Sequence, residues 1–130
     1  MNILLDYQIF HLQRYGGISR YFSKLSEYLI KLNYNVKIHC PVHQNNYLGN
    51  EKIKQNVIGH KIKKFPIFTN RLFNYLNYRL TNRYLDKNDL DILHLTYFNK
   101  IYRLNKKVKK ILTVYDLIHE KFNYLYDKSL

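Results

Sequence analysis

MNILLDYQIFHLQRYGGISRYFSKLSEYLIKLNYNVKIHCP, residues 1–41, is the stretch that decides the fold. Residues 2–5 are a continuous apolar run ending at Asp6, the pattern of a short parallel strand covered on both faces. A loop over 6–17 closes with Gly16 and Gly17. Ile18, Tyr21, Phe22, Leu25, Tyr28, Leu29 and Leu32 then recur at helical spacing, which predicts one apolar stripe facing a core. Arg20, Ser23, Lys24, Glu27 and Lys31 are expected on the opposite face. Asn33 stops the helix by taking the left-handed conformation just past its end. A second strand over 36–40 is expected to end at Pro41. Strand, glycine turn, helix and strand make a βαβ crossover.

Outward from this unit the pattern continues more faintly. Residues 43–55 are polar and Asn-rich and read as a loop. Residues 57–62 suit a weaker third strand that ends before Pro66. Leu72, Phe73, Leu76, Leu80 and Tyr84 predict a helix over 70–85 with Thr69 or Asn70 as its N-cap. Short strands are expected at 91–95 and 111–115, joined by a solvated basic connection over 106–110. Five strands with helices between some of them predict an α/β, Rossmann-like, doubly wound parallel sheet in the order 3-2-1-4-5. Ligands in such sheets bind beyond the carboxyl ends of the strands where the chain reverses direction. Loops 6–17 and 96–99 lie there, with 116–120 beside them.

Composition bounds the rest. The chain has 130 residues, 22 Lys or Arg against 9 Asp or Glu, and a formal charge of +13. That length suits one domain and not two. A lone Cys excludes a disulfide framework. The absence of a signal peptide and of any long apolar run predicts a reducing, cytoplasmic setting with no membrane span. Lys, Asn, Tyr and Ile dominate and Ala is missing, so an A/T-rich genome explains much of the basic excess. The remaining charge would still favour anionic ligands or an anionic membrane surface.

Three segments could carry chemistry. Gly16-Gly17 ahead of a helix lets backbone approach a phosphate, although the same pair also suits a plain tight turn. Asp116, His119 and Glu120 follow a strand at the switch-point side. They could act as a base or bind sugar hydroxyls, or serve as a helix cap with two surface neighbours. His94 and Tyr97 line the strand over 91–95 and its exit, where a core histidine and a capping aromatic are the ordinary alternatives. His39, Cys40 and His43 lack the further ligands of a zinc site, and Asp89 and Asp91 suit a turn before a strand. Tyr and Lys richness could mean single-stranded nucleic acid, but no nucleic-acid-binding motif is present.

Residues 8–10 and 13–22, with Gly16-Gly-Ile-Ser-Arg-Tyr-Phe22 most specific, then 91–98 and 112–120, resemble the N-terminal half of family 4 (retaining, GT-B fold) glycosyltransferases. The likeness is to the mannosyltransferase-like branch of polysaccharide and lipopolysaccharide assembly. It implies that residues 1–130 are a partial N-terminal, acceptor-side Rossmann-like domain, with the donor-binding C-terminal domain absent. The implied function is transfer of a hexose from a nucleotide-sugar to a glycan or lipid-linked acceptor, with no metal and no cofactor. By this likeness Gly16 and Gly17 approach the donor diphosphate and Asp116 is the catalytic candidate in the cleft. His94, Tyr97, Tyr115, His119 and Glu120 contact sugar or acceptor. Many members carry His before that Asp, where this chain has Tyr115, a phenol able to hydrogen-bond. The truncated pattern predicts a chain inactive alone, which fits a split subunit completed by a separate C-terminal half. The remaining alternative is a basic nucleic-acid-binding module.

Overall fold

The computed structural model describes residues 1–104 and 107–115. Its strands are β1 (Asn2–Leu5), β2 (Asn35–His43), β3 (Val57–Lys61), β4 (Ile92–Leu95) and β5 (Lys109–Leu112). Its α-helices are α1 (Gln8–Leu12), α2 (Gly17–Lys31) and α3 (Asn70–Lys87). The strands form one sheet in the order β3-β2-β1-β4-β5, and every adjacent pair is parallel. This is the expected Rossmann-like order. Leu4, Leu5, Val36, Ile38 and Leu93 are fully buried in the central strands, as a sheet covered on both faces requires. Asp91 locks the strand entrances by accepting from the Asn2 N–H at 2.6 Å. Among the described residues no helix is long and apolar enough to cross a membrane.

Several local expectations need correction. The segment 6–17 is not a plain loop, because α1 occupies its middle and buries Ile9 and Phe10. Helix α2 begins and ends as expected, and Asn33 has φ 62 just beyond it. Its buried face, however, is Ser19, Phe22, Ser23, Ser26 and Glu27. Tyr21, Tyr28 and Leu32 are exposed. The stripe is therefore kept in part: Phe22 is buried and Ile18, Leu25 and Leu29 pack half-buried on the core, while the buried face widens onto the serine side of the helix. Small serines allow close approach to the sheet, which three bulky tyrosines or leucines would prevent.

Strand β2 runs through Pro41 rather than ending there, with an irregular register against β3 between His39 and Val42. A bulge is where a strand tolerates proline. The buried amide of Asn77 on α3 replaces the missing neighbour. Its Oδ1 accepts from Val42 N–H at 2.8 Å and its Nδ2 donates to the Val42 carbonyl at 2.8 Å. Opposite the bulge, Gly59 has φ +157, and a Cβ there would lie 1.8 Å from the Cys40 carbonyl oxygen. Gly59→Ala is therefore expected to cost about 1–3 kcal/mol through overpacking against backbone, read as a lower denaturant midpoint at unchanged slope.

Helix α3 presents polar residues inward. Asn77, Thr81 and Leu85 are its buried positions, while Leu72, Leu76 and Leu80 are exposed. The inward face is chosen by two hydrogen-bonded contacts with β2, Asn77 to Val42 and Thr81 Oγ1 to His39 Nδ1 at 2.9 Å. Thr69 holds the N-cap position, but its hydroxyl donates to the Pro66 carbonyl at 2.6 Å instead of accepting from the helix. The last strand spans Lys109–Leu112 rather than 111–115, starting two residues and ending three residues earlier than expected. Lys109 and Lys110 belong to β5 and are exposed, as charges on an edge strand should be. The segment read as a loop over 43–55 makes a short 3-10 turn at Tyr47–Gly49 and enters a second, Lys54–Asn56, at its end.

Candidate functional site

Ligand is expected beyond the carboxyl ends of β1 and β4, the switch point of the sheet. Directly after β1 stands Asp6, which is fully buried. One carboxylate oxygen accepts from Thr96 N–H at 2.8 Å and from its hydroxyl at 2.7 Å. The other accepts from Gln8 Nε2 at 2.6 Å and from the Tyr102 hydroxyl at 3.1 Å. Gln8 also donates to the Lys100 carbonyl at 2.9 Å and accepts from Lys100 N–H at 2.8 Å. The network binds the loop after β1 to the loop after β4 just beyond the last backbone bond between the strands, Asp6 N–H to the His94 carbonyl at 3.3 Å. Burial pushes the Asp6 carboxyl above its ordinary range, and the bonds from Gln8, Thr96 and Tyr102 oppose that shift. Burial and the adjacent Asp6 push the Tyr102 phenol upward. Asp6, Gln8, Thr96 and Tyr102 were not among the candidate residues. The available signal was a polar residue directly after each of two central strands.

The glycine pair has divided roles. Gln13 Oε1 accepts from Ser19 N–H at 3.0 Å and caps α2. A Cβ on Gly16 would meet that oxygen at 2.2 Å, so Gly16 makes room for the cap. A Cβ on Gly17 would meet nothing within 4 Å. Its N–H is among the first of the helix, which have no intrahelical acceptor. Behind this turn Asn45, fully buried, donates to the Gln13 carbonyl at 2.7 Å and accepts from Tyr47 N–H at 2.9 Å. Asn46 N–H donates to the Arg14 carbonyl at 3.0 Å. The exit of β2 therefore holds the approach to Gly16 in place.

His94 and Tyr115 come together on the inner side of α2. Phe22 lies edge-on to both, with ring centroids 5.1 Å from His94 and 5.8 Å from Tyr115. His94 is buried and its Nε2 pairs with Thr113 Oγ1 at 2.9 Å. These are the surroundings of a core histidine, and burial lowers its pKa. Tyr115 is partly exposed, also packs on Tyr21, and has its phenol raised by burial. Tyr97 is half-buried after β4 and stacks on Phe98 at 4.3 Å. Asp116, His119 and Glu120 lie outside the described residues, as does Lys106 of the basic connection.

Beside α2, a groove of about 550 Å³ is lined by Arg20, Lys24, Asn46 and Tyr47. A larger groove of about 570 Å³ lies elsewhere, between α3 and β3. His39 and Cys40 point to different partners, Thr81 and the Tyr7 carbonyl. Among the described residues no three His, Cys, Asp or Glu side chains converge as a metal site.

The family model of Glycosyltransferase Family 4 matches residues 15–130, from the turn before Gly16 onward. The chain belongs to glycosyltransferase family 4. No curated protein and no solved structure matches it. The family 4 assignment agrees with the five-stranded parallel sheet and makes the chain part of a transferase family, one that implies a nucleotide-sugar donor and an acceptor. The matched span takes in α2 and its glycine turn, whereas β1 and Asp6 precede it.

Proposed function

We propose that residues 1–130 are the acceptor-side part of the N-terminal domain of a GT-B glycosyltransferase. The enzyme transfers a hexose from a GDP- or UDP-sugar to a glycan or lipid-linked acceptor in polysaccharide assembly, in the manner of the mannosyltransferase-like branch. It works in the cytoplasm, at the inner face of a membrane. A second domain, on the same or a separate chain, holds most of the donor, and Gly17 adds backbone N–H to its diphosphate. Asp116 is the proposed catalytic carboxylate, with Tyr115, His119 and Glu120 beside it and His94 and Tyr97 toward the acceptor. The observation that carries this reading is the family match over residues 15–130, on a sheet whose first glycine-led helix leaves open space at Gly17.

Gly17→Asp separates folding from donor binding. A carboxylate in the first turn of a helix stabilises it by a few tenths of a kcal/mol (about 0.3–1), and the side chain meets no neighbour within 4 Å. The same charge repels a diphosphate. In a transfer assay supplied with a family 4 donor-binding domain and labelled nucleotide-hexose, the substitution should reduce transfer about tenfold or more, equal to about 1.4 kcal/mol, with an unchanged or higher melting temperature. Unchanged transfer would remove Gly17 from the donor site. Transfer by the 130-residue chain alone would overturn the division between the domains.

A further inference from the structure

We propose that the turn at residues 66–69 and the outer face of α3 form a docking surface for a lipid bilayer bearing anionic headgroups. The turn is built to hold an aromatic residue in solvent. Phe65 points inward, where its ring stacks on Phe73 at 5.0 Å and lies 5.0 Å from His11. Pro66 then fixes the backbone, and Thr69 N–H donates to the Pro66 carbonyl at 3.1 Å to close the turn. Phe68 sits inside that turn with φ 64 and is 100% exposed. A left-handed φ favours Gly or Asn and is an outlier for a bulky residue. Among the described residues, the most exposed aromatic therefore sits where glycine would be easier. Ile67 beside it is 77% exposed. Leu72, Leu76 and Leu80 continue at intervals of one helical turn on the outer face of α3, and all are exposed.

Charge identifies the occupant. Between Glu51 and Asp86 the sequence contains eight Lys or Arg and no acid. Lys52 and Lys54 pair with Glu27 and Glu51. Lys63, Lys64, Arg71 and Arg79 bracket the exposed apolar residues and are themselves exposed. Basic residues around protruding Phe, Ile and Leu fit an anionic interface, where the apolar tips enter the acyl boundary and the long cations stay at the headgroups. A phosphate polymer would use the cations but leave Ile67, Leu72 and Leu76 with nothing to bury against. The proposed membrane-linked acceptor would lie at the same interface, but lipid binding needs neither donor nor acceptor.

Cosedimentation of the 130-residue chain with phosphatidylglycerol–phosphatidylcholine vesicles tests the surface, with no sugar substrate present. The native chain should bind these vesicles and bind pure phosphatidylcholine far less. Phe68→Gly should weaken partitioning about tenfold, while its thermal midpoint stays level or rises because the left-handed position is relieved. Lys63→Glu with Lys64→Glu should remove the preference for anionic vesicles and leave the fold intact. Native-like partitioning of Phe68→Gly would overturn the proposal. So would equal binding of an oligonucleotide by the native chain and Phe68→Gly with no vesicle binding by either, which assigns the surface to polyanions. Absence of sugar transfer in the assay supplied with a donor-binding domain, with vesicle binding retained, would count against the proposed enzyme function and leave this surface standing.

Discussion

Asp6→Ala is expected to lower the unfolding free energy by about 3–5 kcal/mol, the cost of two or three stranded donors, enough to consume much of the roughly 5–15 kcal/mol available to a typical domain. The carboxylate is fully buried and accepts from Gln8, from the backbone and hydroxyl of Thr96, and from Tyr102. Alanine leaves those donors in a dry site with no acceptor, and each unsatisfied group costs about 1–3 kcal/mol. The Thr96 hydroxyl retains the Asp6 carbonyl at 3.3 Å as a second acceptor, so the donors are not all stranded. Asp6→Asn should cost less, because its amide oxygen can still serve Thr96. Its amide nitrogen would face the Gln8 and Tyr102 donors. Urea unfolding of both variants measures the order. An Asp6→Ala chain as stable as the native one would mean that the network is replaced by water at no cost, and that the two loops are held by other contacts.

The second large effect is acid lability between pH about 6.5 and about 4. His39 is buried against the Tyr84 ring at 4.6 Å. Burial lowers its pKa from 6.5 to about 4. His43 is lowered to about 4 by burial first, then by the charges of Lys61 and His60. The folded chain holds both rings neutral, whereas the unfolded chain protonates them near pH 6.5. Stability from this source is complete above the unfolded pKa. It is lost as pH falls toward the folded value, about 3 kcal/mol per ring as an upper figure.

Two carboxyl groups act on the same profile with opposite signs. Lys52, Lys24 and Lys31 hold Glu27 down at about 2, so its contribution is kept above about pH 4.5 and lost only in stronger acid. Asp6 is raised by burial, so it disfavours folding as pH rises through its ordinary range and gives some of that back in acid. Urea midpoints from pH 7 to pH 4 should therefore fall steeply, and His39→Gln should flatten the fall. A native profile that is level over this interval would show that the two rings are protonated without unfolding.

The glycine turn and its helix were legible because their signals are local. Gly16, Gly17 and the helix that follows are a turn and a 3.6-residue period in contiguous sequence. Asn33 announces its left-handed conformation by residue type. Asp6 was legible only as the end of a strand. Its importance depends on Thr96 and Tyr102, which are about ninety residues away along the chain (separations of 90 and 96), and no local pattern reports such a pair.

The sequence by itself determined the βαβ unit, the five strands and their order, and the family to which the glycine turn points. Those follow from periodicity and turn chemistry, which act over a few residues. Only the tertiary structure decided which face of each helix meets the sheet. Apolar stripes predicted tyrosines inward on α2 and leucines inward on α3. On α2, Phe22, Ile18, Leu25 and Leu29 kept to the core, and serines took the place expected of Tyr21 and Tyr28 because small side chains permit close packing. Asn77 and Thr81 prevailed on α3 because β2 bulges at Pro41 and leaves Val42 and His39 in need of polar partners. An unpaired buried backbone group costs more than an exposed leucine, and that inequality turns the apolar face of α3 outward.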